Sequence, residues 1–243
     1  MLDSIDTSTF IYYKDEVNTQ SQIGVTHNKI VEIPNFVDAD TAKSLVDYFE
    51  NGPETWGFIA FYGSYGMGLN PDGNELAKFG LPSDIFSRIN NKTKQAVELV
   101  FERAVKPNTS HAQKWTKGAF AYPHSDNSDF DGTPTAFEIN KYVAILYLND
   151  DYEGGELYFP DHEPELEIKP NKYSCYIFPG GVENIHGVKE ITSGERHTTL
   201  SFWDFADIKY SEERLSEWDK ELKEVRDSQA EQRAEWENGN KYA

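Results

Sequence analysis

Apolar positions along the chain change rhythm several times. Near the N-terminus, Phe10-Ile11-Tyr12-Tyr13 forms one apolar patch ahead of a polar run from Asn18 to Gln22, which reads as a strand at a sheet edge or as an ordered arm. Ile30-Val31-Glu32-Ile33-Pro34-Asn35-Phe36 predicts a short strand. Asp38 is placed to cap a helix that carries Ala42, Leu45, Val46 and Phe49 on one face and is stopped by Asn51-Gly52-Pro53. Residues 55–80 are rich in aromatics and glycine (Trp56, Phe58, Phe61, Tyr62, Tyr65; Gly63, Gly66, Gly68, Gly73), a composition that suits a mobile loop over a site and a plain surface hairpin equally. The longest helix is expected next, from about Ser83, with Ile85, Ile89, Ala96, Val97, Val100 and Ala104 on the face that backs the main sheet, and Pro107 as its end.

From Trp115 to Phe205 the period shortens to β runs separated by turns: 118–122, 142–148, 156–159, 166–168, 173–178 and 196–205. Asn149-Asp150-Asp151 and Gly154-Gly155 supply turn chemistry. From Ser211 a polar helix with Leu215, Trp218, Leu222 and Val225 fades into a tail that frays near Asn238-Gly239-Asn240. The pattern predicts a mainly β chain with supporting helices, of sandwich or jelly-roll type. No internal repeat is visible, so residues 1–243 read as one domain: N-terminal strands and helices over 1–110, a β core over 111–206, and a polar C-terminal helix and tail over 207–243.

Composition sharpens this picture. The 14% aromatic share, with 14 Tyr and 15 Phe, favours strands and excludes a disordered chain despite the mean hydropathy of -0.67. Lys plus Arg number 23 and Asp plus Glu 42, so the net charge is 23 − 42 = −19, which repels phosphate backbones and argues against a nucleic-acid partner. A single cysteine, Cys175, fits a reducing compartment. The start, Met1 to Asp6, lacks a basic, apolar leader, and no window has the length of a membrane span. These readings point to a cytoplasmic protein without a membrane partner.

Candidate chemistry centres on Tyr122-Pro123-His124-Ser125-Asp126, answered by His186 and then Arg196. On an extended segment His124 and Asp126 project to one face. With one further ligand, two imidazoles and a carboxylate form the facial set that suits non-haem Fe(II) and O2. Arg196 offers a planar fork for a carboxylate, and Thr198 shares its strand face, so a carboxylate cosubstrate is implied. No side chain is assigned as a catalytic acid or base.

His124-Ser125-Asp126, then Tyr147-Leu148-Asn149-Asp150 with Gly154-Gly155-Glu156-Leu157-Tyr158-Phe159-Pro160, then His186 and Arg196, resembles the prolyl 4-hydroxylase branch of the Fe(II)/2-oxoglutarate dioxygenases. The likeness covers residues 115–205 in consistent order, and Ile30 to Phe49 is similar to the family's leading strand and helix. It implies a double-stranded β-helix (jelly roll, cupin-like) flanked by N-terminal helices, with His124, Asp126 and His186 on iron. It further implies that Arg196 holds the distal carboxylate of 2-oxoglutarate, shared by Tyr147. The implied reaction hydroxylates a prolyl residue of a protein or peptide while 2-oxoglutarate becomes succinate, with the substrate gripped between residues 56–65 and 127–136. Trp115 departs from the family pattern, which has a tyrosine there; an indole N–H only donates.

Rival readings remain. A non-catalytic β-sandwich binding protein could keep the same pocket, and the same chemistry could serve a free small molecule. Residues 127–138 nearly match a calcium loop, D-x-[DN]-x-[DN]-G-x5-E, but begin with Asn127 and lack an entering helix, so an ordinary acidic loop is expected. His27, His111, His162 and His197 are expected to be surface or structural groups, Cys175 a buried small hydrophobe, and Tyr122 and Trp203 packing residues.

Overall fold

In a computed structural model, residues 5–17, 24–51, 56–59, 62–69 and 83–240 are described. The polar run Asn18 to Gln22, the Gly52-Pro53 stop and the glycine-rich residues 70–80 lie outside them. The chain runs β1 (Ile11–Val17), β2 (His27–Ile33), α1 (Ala39–Asn51), β3 (Gly57–Ile59), β4 (Ser64–Leu69), α2 (Ser83–Phe101), β5 (Val105–Trp115), β6 (Ala121–His124), β7 (Tyr142–Tyr147), β8 (Tyr152–Gly154), β9 (Leu157–Phe159), β10 (Leu166–Ile168), β11 (Cys175–Pro179), β12 (His186–Val188), β13 (Ile191–Gly194), β14 (Arg196–Phe205) and α3 (Glu212–Asn240).

Two antiparallel sheets do most of the work of placing the site. The larger has eight strands in the order β1-β2-β11-β7-β14-β5-β4-β3, and the smaller has four in the order β10-β9-β12-β6. A separate two-stranded ribbon pairs β13 with β8. The central strands β11, β7 and β14 of the larger sheet are buried on both faces, and this explains their near-continuous apolar runs. Along β7, Tyr142, Ala144 and Leu146 face one core while Val143 and Tyr147 face another; on β11, Cys175 and Ile177 alternate in the same way with Tyr176 and Phe178. The outer core packs against α1 and α2. The inner core, between the sheets, is completed by Leu157, Phe159 and Ile168 from the smaller sheet. Each such fully buried aliphatic or phenyl group contributes about 1.5–3 kcal/mol. Face-to-face sheets with these ladders form a double-stranded β-helix with supporting helices.

The N-terminal elements follow local rules. The Thr41 N–H donates to Asp38 Oδ1 at 2.7 Å, which caps α1 as expected. Ala42, Leu45, Tyr48 and Phe49 are its buried residues, with Val46 half-buried at the margin. β1 is the edge strand of the large sheet, and β3 with β4 forms a hairpin that extends the opposite edge.

Several expectations are corrected. α2 ends at Phe101, not at Pro107, because Glu102 takes the left-handed conformation (φ 51°) and Ala104 lies beyond it. Pro107 instead sits in β5 opposite Trp203, where the ladder shifts register, a place that tolerates a residue without an N–H. β5 itself lies between β14 and β4 in mid-sheet, although its sequence reads as polar. Tyr122 is not a packing residue: it is 63% exposed, edge-on to Phe120. Leu215 on α3 is exposed as well, and α3 continues as helix through Asn240 rather than fraying, consistent with its Glu-, Lys-, Arg- and Ala-rich sequence. Among the described residues, no helix is long and apolar enough to cross a membrane.

Candidate metal and cosubstrate site

The smaller sheet brings two histidines face to face. On the β12–β6 ladder His186 is the direct partner of His124, with ring centroids 4.6 Å apart. Asp126 lies just past the end of β6, where its N–H donates to the Gly180 carbonyl at 2.8 Å. Its carboxylate therefore turns back to the pair: Oδ1 is 3.8 Å from His124 Nε2, and Oδ2 is 3.5 Å from His186 Nε2. One ligand atom from each of the three residues lies within 4.8 Å of the others.

Backbone carbonyls set the histidine tautomers. His124 Nδ1 is 2.8 Å from the Tyr122 carbonyl, and His186 Nδ1 is 3.0 Å from the Asn184 carbonyl. A carbonyl only accepts, so Nδ1 carries the proton in both rings and both Nε2 lone pairs face Asp126. Phe178, edge-on to His186 at 4.8 Å, fixes that ring further. Burial, followed by the charge of His124, pushes His186 down to about 3, so it is neutral at physiological pH. Burial pushes Asp126 up to about 6, with His124 partly offsetting it. Asp126 Oδ2 has no hydrogen-bond donor among the described residues. Two neutral imidazole nitrogens and an orphaned carboxylate oxygen on one face fit a divalent cation.

The large sheet supplies the second half. Arg196 opens β14 opposite Trp115, and Thr198 lies opposite Tyr147. Only 2% of Arg196 is exposed, and its guanidinium lies 4.3 Å from the Trp115 ring and 5.6 Å from that of Tyr147. One Nη1 bond goes to the Gly155 carbonyl at 3.1 Å, while Nε has no hydrogen-bond partner among the described residues. Among the described residues no carboxylate pairs with it. A guanidinium buried without an anion is costly, and a ligand carboxylate resolves that cost. Gly155 adopts a left-handed backbone (φ 71°), and an added Cβ would sit 2.5 Å from Ile191 Cδ1, so the carbonyl that orients Arg196 depends on glycine. Thr198 is fully buried, 3.5 Å from Gln113 Oε1, and Trp115 Nε1 donates to that same oxygen at 3.3 Å.

Two tyrosines join the site without having been singled out from the sequence. Tyr62, beside the β3–β4 turn, stacks on Trp115 at 5.4 Å and places its hydroxyl 3.4 Å from His124 Nε2. Tyr152 packs beside Trp115 and Ile191, and its buried hydroxyl has no hydrogen-bond partner among the described residues. Burial raises the pKa of both phenols, and Tyr147 and Arg196 act on Tyr152 as neighbours, so both hydroxyls are neutral donors. Neither carried a local signal, because each contact joins residues far apart in the chain.

A cavity of about 330 Å³ opens beside the histidine–aspartate set, lined by His124, Asp126, Asp129, Phe130, Phe137 and Val225 among others. The acidic loop next to it is spoken for: Asn127 Nδ2 donates to the Asn140 carbonyl, Asp131 accepts from the Thr133 N–H, and Glu138 accepts from Arg214. Its side chains face separate partners, as in an ordinary loop. His197 is buried and bonds Glu50 of α1 at 2.8 Å, facing away from Arg196's pocket. His27 is exposed, His111 lies edge-on to Phe202, His162 packs on Phe159, and Cys175 is fully buried.

Fold and site thus define a double-stranded β-helix enzyme class with a facial two-histidine, one-carboxylate set. Comparison with known proteins narrows it. The sequence profile of the 2OG-Fe(II) oxygenase superfamily matches residues 110–204. Prolyl 3-hydroxylase 1 of Gallus gallus is 39% identical over 82 residues, covering 32% of this chain and 11% of that protein. Prolyl 3-hydroxylase 2 of Homo sapiens is 36% identical over 99 residues, covering 37% of this chain and 14% of that protein. The chain therefore spans between 11% and 14% of the length of these curated relatives. Among solved structures, a viral collagen prolyl hydroxylase from Paramecium Bursaria Chlorella virus-1, a 2OG complex, superposes with a TM-score of 0.56 at 18% identity, over 73% of this chain and 96% of that one. A prolyl hydroxylase from Trichoplax adhaerens, in complex with a hypoxia inducible factor peptide, gives 0.55 at 17% identity, over 72% and 83%. At such identities these likenesses establish the fold. Residues 110–204 thus resemble the 2OG-Fe(II) oxygenase superfamily, and the donor set fits the Fe(II) and 2-oxoglutarate that its name carries.

Proposed function

We propose that this chain hydroxylates a prolyl residue in a protein or peptide, with 2-oxoglutarate as cosubstrate. The observation that carries this reading is the meeting of His124, Asp126 and His186 around one orphaned carboxylate oxygen, in the same fold as a buried Arg196 that has no anion among the described residues. Support for the prolyl substrate comes from the partial relatives, which are prolyl hydroxylases, and from the shape of the cavity. Ala136, Phe130 and Phe137 give it an apolar wall suited to a pyrrolidine ring.

In this reading His124, Asp126 and His186 hold iron, and Arg196 receives the distal carboxylate of 2-oxoglutarate, with Tyr147, Thr198 and Tyr152 around it. Bound iron and 2-oxoglutarate supply the oxidising power: one atom of O2 enters the substrate as a hydroxyl, and the other enters succinate as CO2 leaves. The chain itself orients and excludes water. Trp115 and Tyr62 wall off the cosubstrate side, and the two backbone carbonyls keep each imidazole from rotating. No protein group need transfer a proton.

The test is an anaerobic titration with Fe(II) and 2-oxoglutarate, followed by exposure to air with a panel of proline-containing peptides. Iron-dependent succinate release with a gain of one oxygen atom on proline supports the reading. Fragmentation of the product then assigns the ring carbon. Succinate release without any hydroxylated peptide would remove the prolyl substrate while keeping the oxygenase.

A further inference from the structure

The C-terminal helix α3 lies outside the β core, yet one of its side chains, Val225, lines the cavity beside His124 and Asp126. Arg214, three turns earlier, shows what holds it there. Its Nε donates to Glu138 Oε1 at 2.6 Å and its Nη2 to the Thr135 carbonyl at 3.3 Å, both on the loop that carries Phe130 and Phe137. Its Nη1 turns back to Glu221 at 2.9 Å and Glu217 at 3.2 Å, and its guanidinium rests 5.4 Å from the Trp218 ring. Arg214, Trp218, Glu221 and Val225 are spaced four, three and four apart, which puts them on one stripe of the helix. The same helix approaches β3 of the hairpin that carries Tyr62 near the site. The stripe therefore meets the 127–138 loop through Arg214 and the cavity through Val225.

We infer that α3 is the outer wall of the substrate cavity, with Arg214 as the positioning residue that latches it to the 127–138 loop and Val225 as the residue that sets the shape of the mouth. The wall assignment rests on the cavity being the substrate site, as proposed above. Glu138 is half of the latch: with only 14% of its side chain exposed, it is well shielded from competing water. Loss of either partner frees the loop and the helix together, while the two sheets, whose core clusters contain no residue of α3, keep their packing.

The chain's single cysteine makes this testable in the intact chain. Cys175 is fully buried in the outer core, so the thiol introduced by Val225→Cys is the only one open to alkylation. Iodoacetamide should modify that thiol at least tenfold faster when Arg214→Ala or Glu138→Gln is added, with Cys175 unreactive throughout as the check that the core is folded. Equal rates in the latched and unlatched proteins would overturn the latch. A nitroxide placed on the same thiol reads the wall separately: Mn(II) bound at the histidine–aspartate set should suppress its signal severalfold, and Arg214→Ala should restore part of it. Bound Mn(II) with an unaffected nitroxide would overturn the assignment of α3 as the cavity wall. Failure of Mn(II) to bind at all would instead strike the metal-site reading, and the alkylation rates would still decide the latch.

Discussion

His186 stands directly across the β12–β6 ladder from His124, so one register choice in a four-stranded sheet decides whether the two imidazoles meet. A slip by one residue would turn every side chain of β12 to the other face. The next residue, Gly187, guards that register. A Cβ there would lie 2.6 Å from the Tyr158 ring and 2.7 Å from the Ala121 carbonyl.

Gly187→Ala should therefore weaken metal binding without touching a ligand. To fit the methyl group, β12 must move away from β9 or β6, and His186 moves with it. The expected result is a tenfold or greater rise in the Mn(II) dissociation constant, read by calorimetry, with far-UV circular dichroism unchanged.

Arg196→Met should separate cosubstrate binding from folding. Charged hydrogen bonds contribute about 1.5–3 kcal/mol, so the 2-oxoglutarate dissociation constant should rise roughly tenfold to a hundredfold. Because the guanidinium has no anionic partner among the described residues, removing it should leave the melting temperature unchanged or higher. A large loss of stability would show that Arg196 is a structural group.

Metal binding should depend on pH through Asp126. In the metal-free protein, burial holds this carboxyl protonated up to about pH 6, against an ordinary value of 3.8. Metal requires the carboxylate, so Mn(II) affinity should fall about tenfold or more for each pH unit below that point. Titrations between pH 5 and pH 7 check this, and a flat profile would contradict it.

The same groups oppose each other in metal-free stability. Between 3.8 and about 6 the folded state keeps a proton on Asp126 that the unfolded chain has released, so this residue lowers stability as pH rises through that window. His186, pushed from 6.5 down to about 3, does the reverse: the unfolded chain binds a proton that the folded state refuses, so stability rises with pH across its window. Asp126→Asn removes the first slope. Its melting temperature should climb more steeply with pH between 4 and 6 than that of the wild type.

Much of the architecture was legible because the central strands of the large sheet are buried on both faces. Runs such as Tyr142 to Tyr147 and Cys175 to Pro179 admit few other readings, and the spacing of His124 and Asp126 shows on sight. The less legible parts have definite causes. β5 reads as polar because it owes its place to pairing on both edges, not to apolar content; β12 has only three residues and no periodicity to detect. Tyr62 meets Trp115 and His124 only through folding, and Tyr152 looks like part of a turn. On α3, the residue that matters beside Trp218 is Arg214 rather than its apolar neighbour Leu215, because the loop it faces offers a carboxylate and a carbonyl.

The most direct measurement is Fe(II)-dependent release of succinate from 2-oxoglutarate, compared between the wild-type protein and Asp126→Ala, with circular dichroism as the check on folding. Three side chains acting as one metal site predict release by the wild type and none by the folded variant. Release by Asp126→Ala at the wild-type rate would contradict the account.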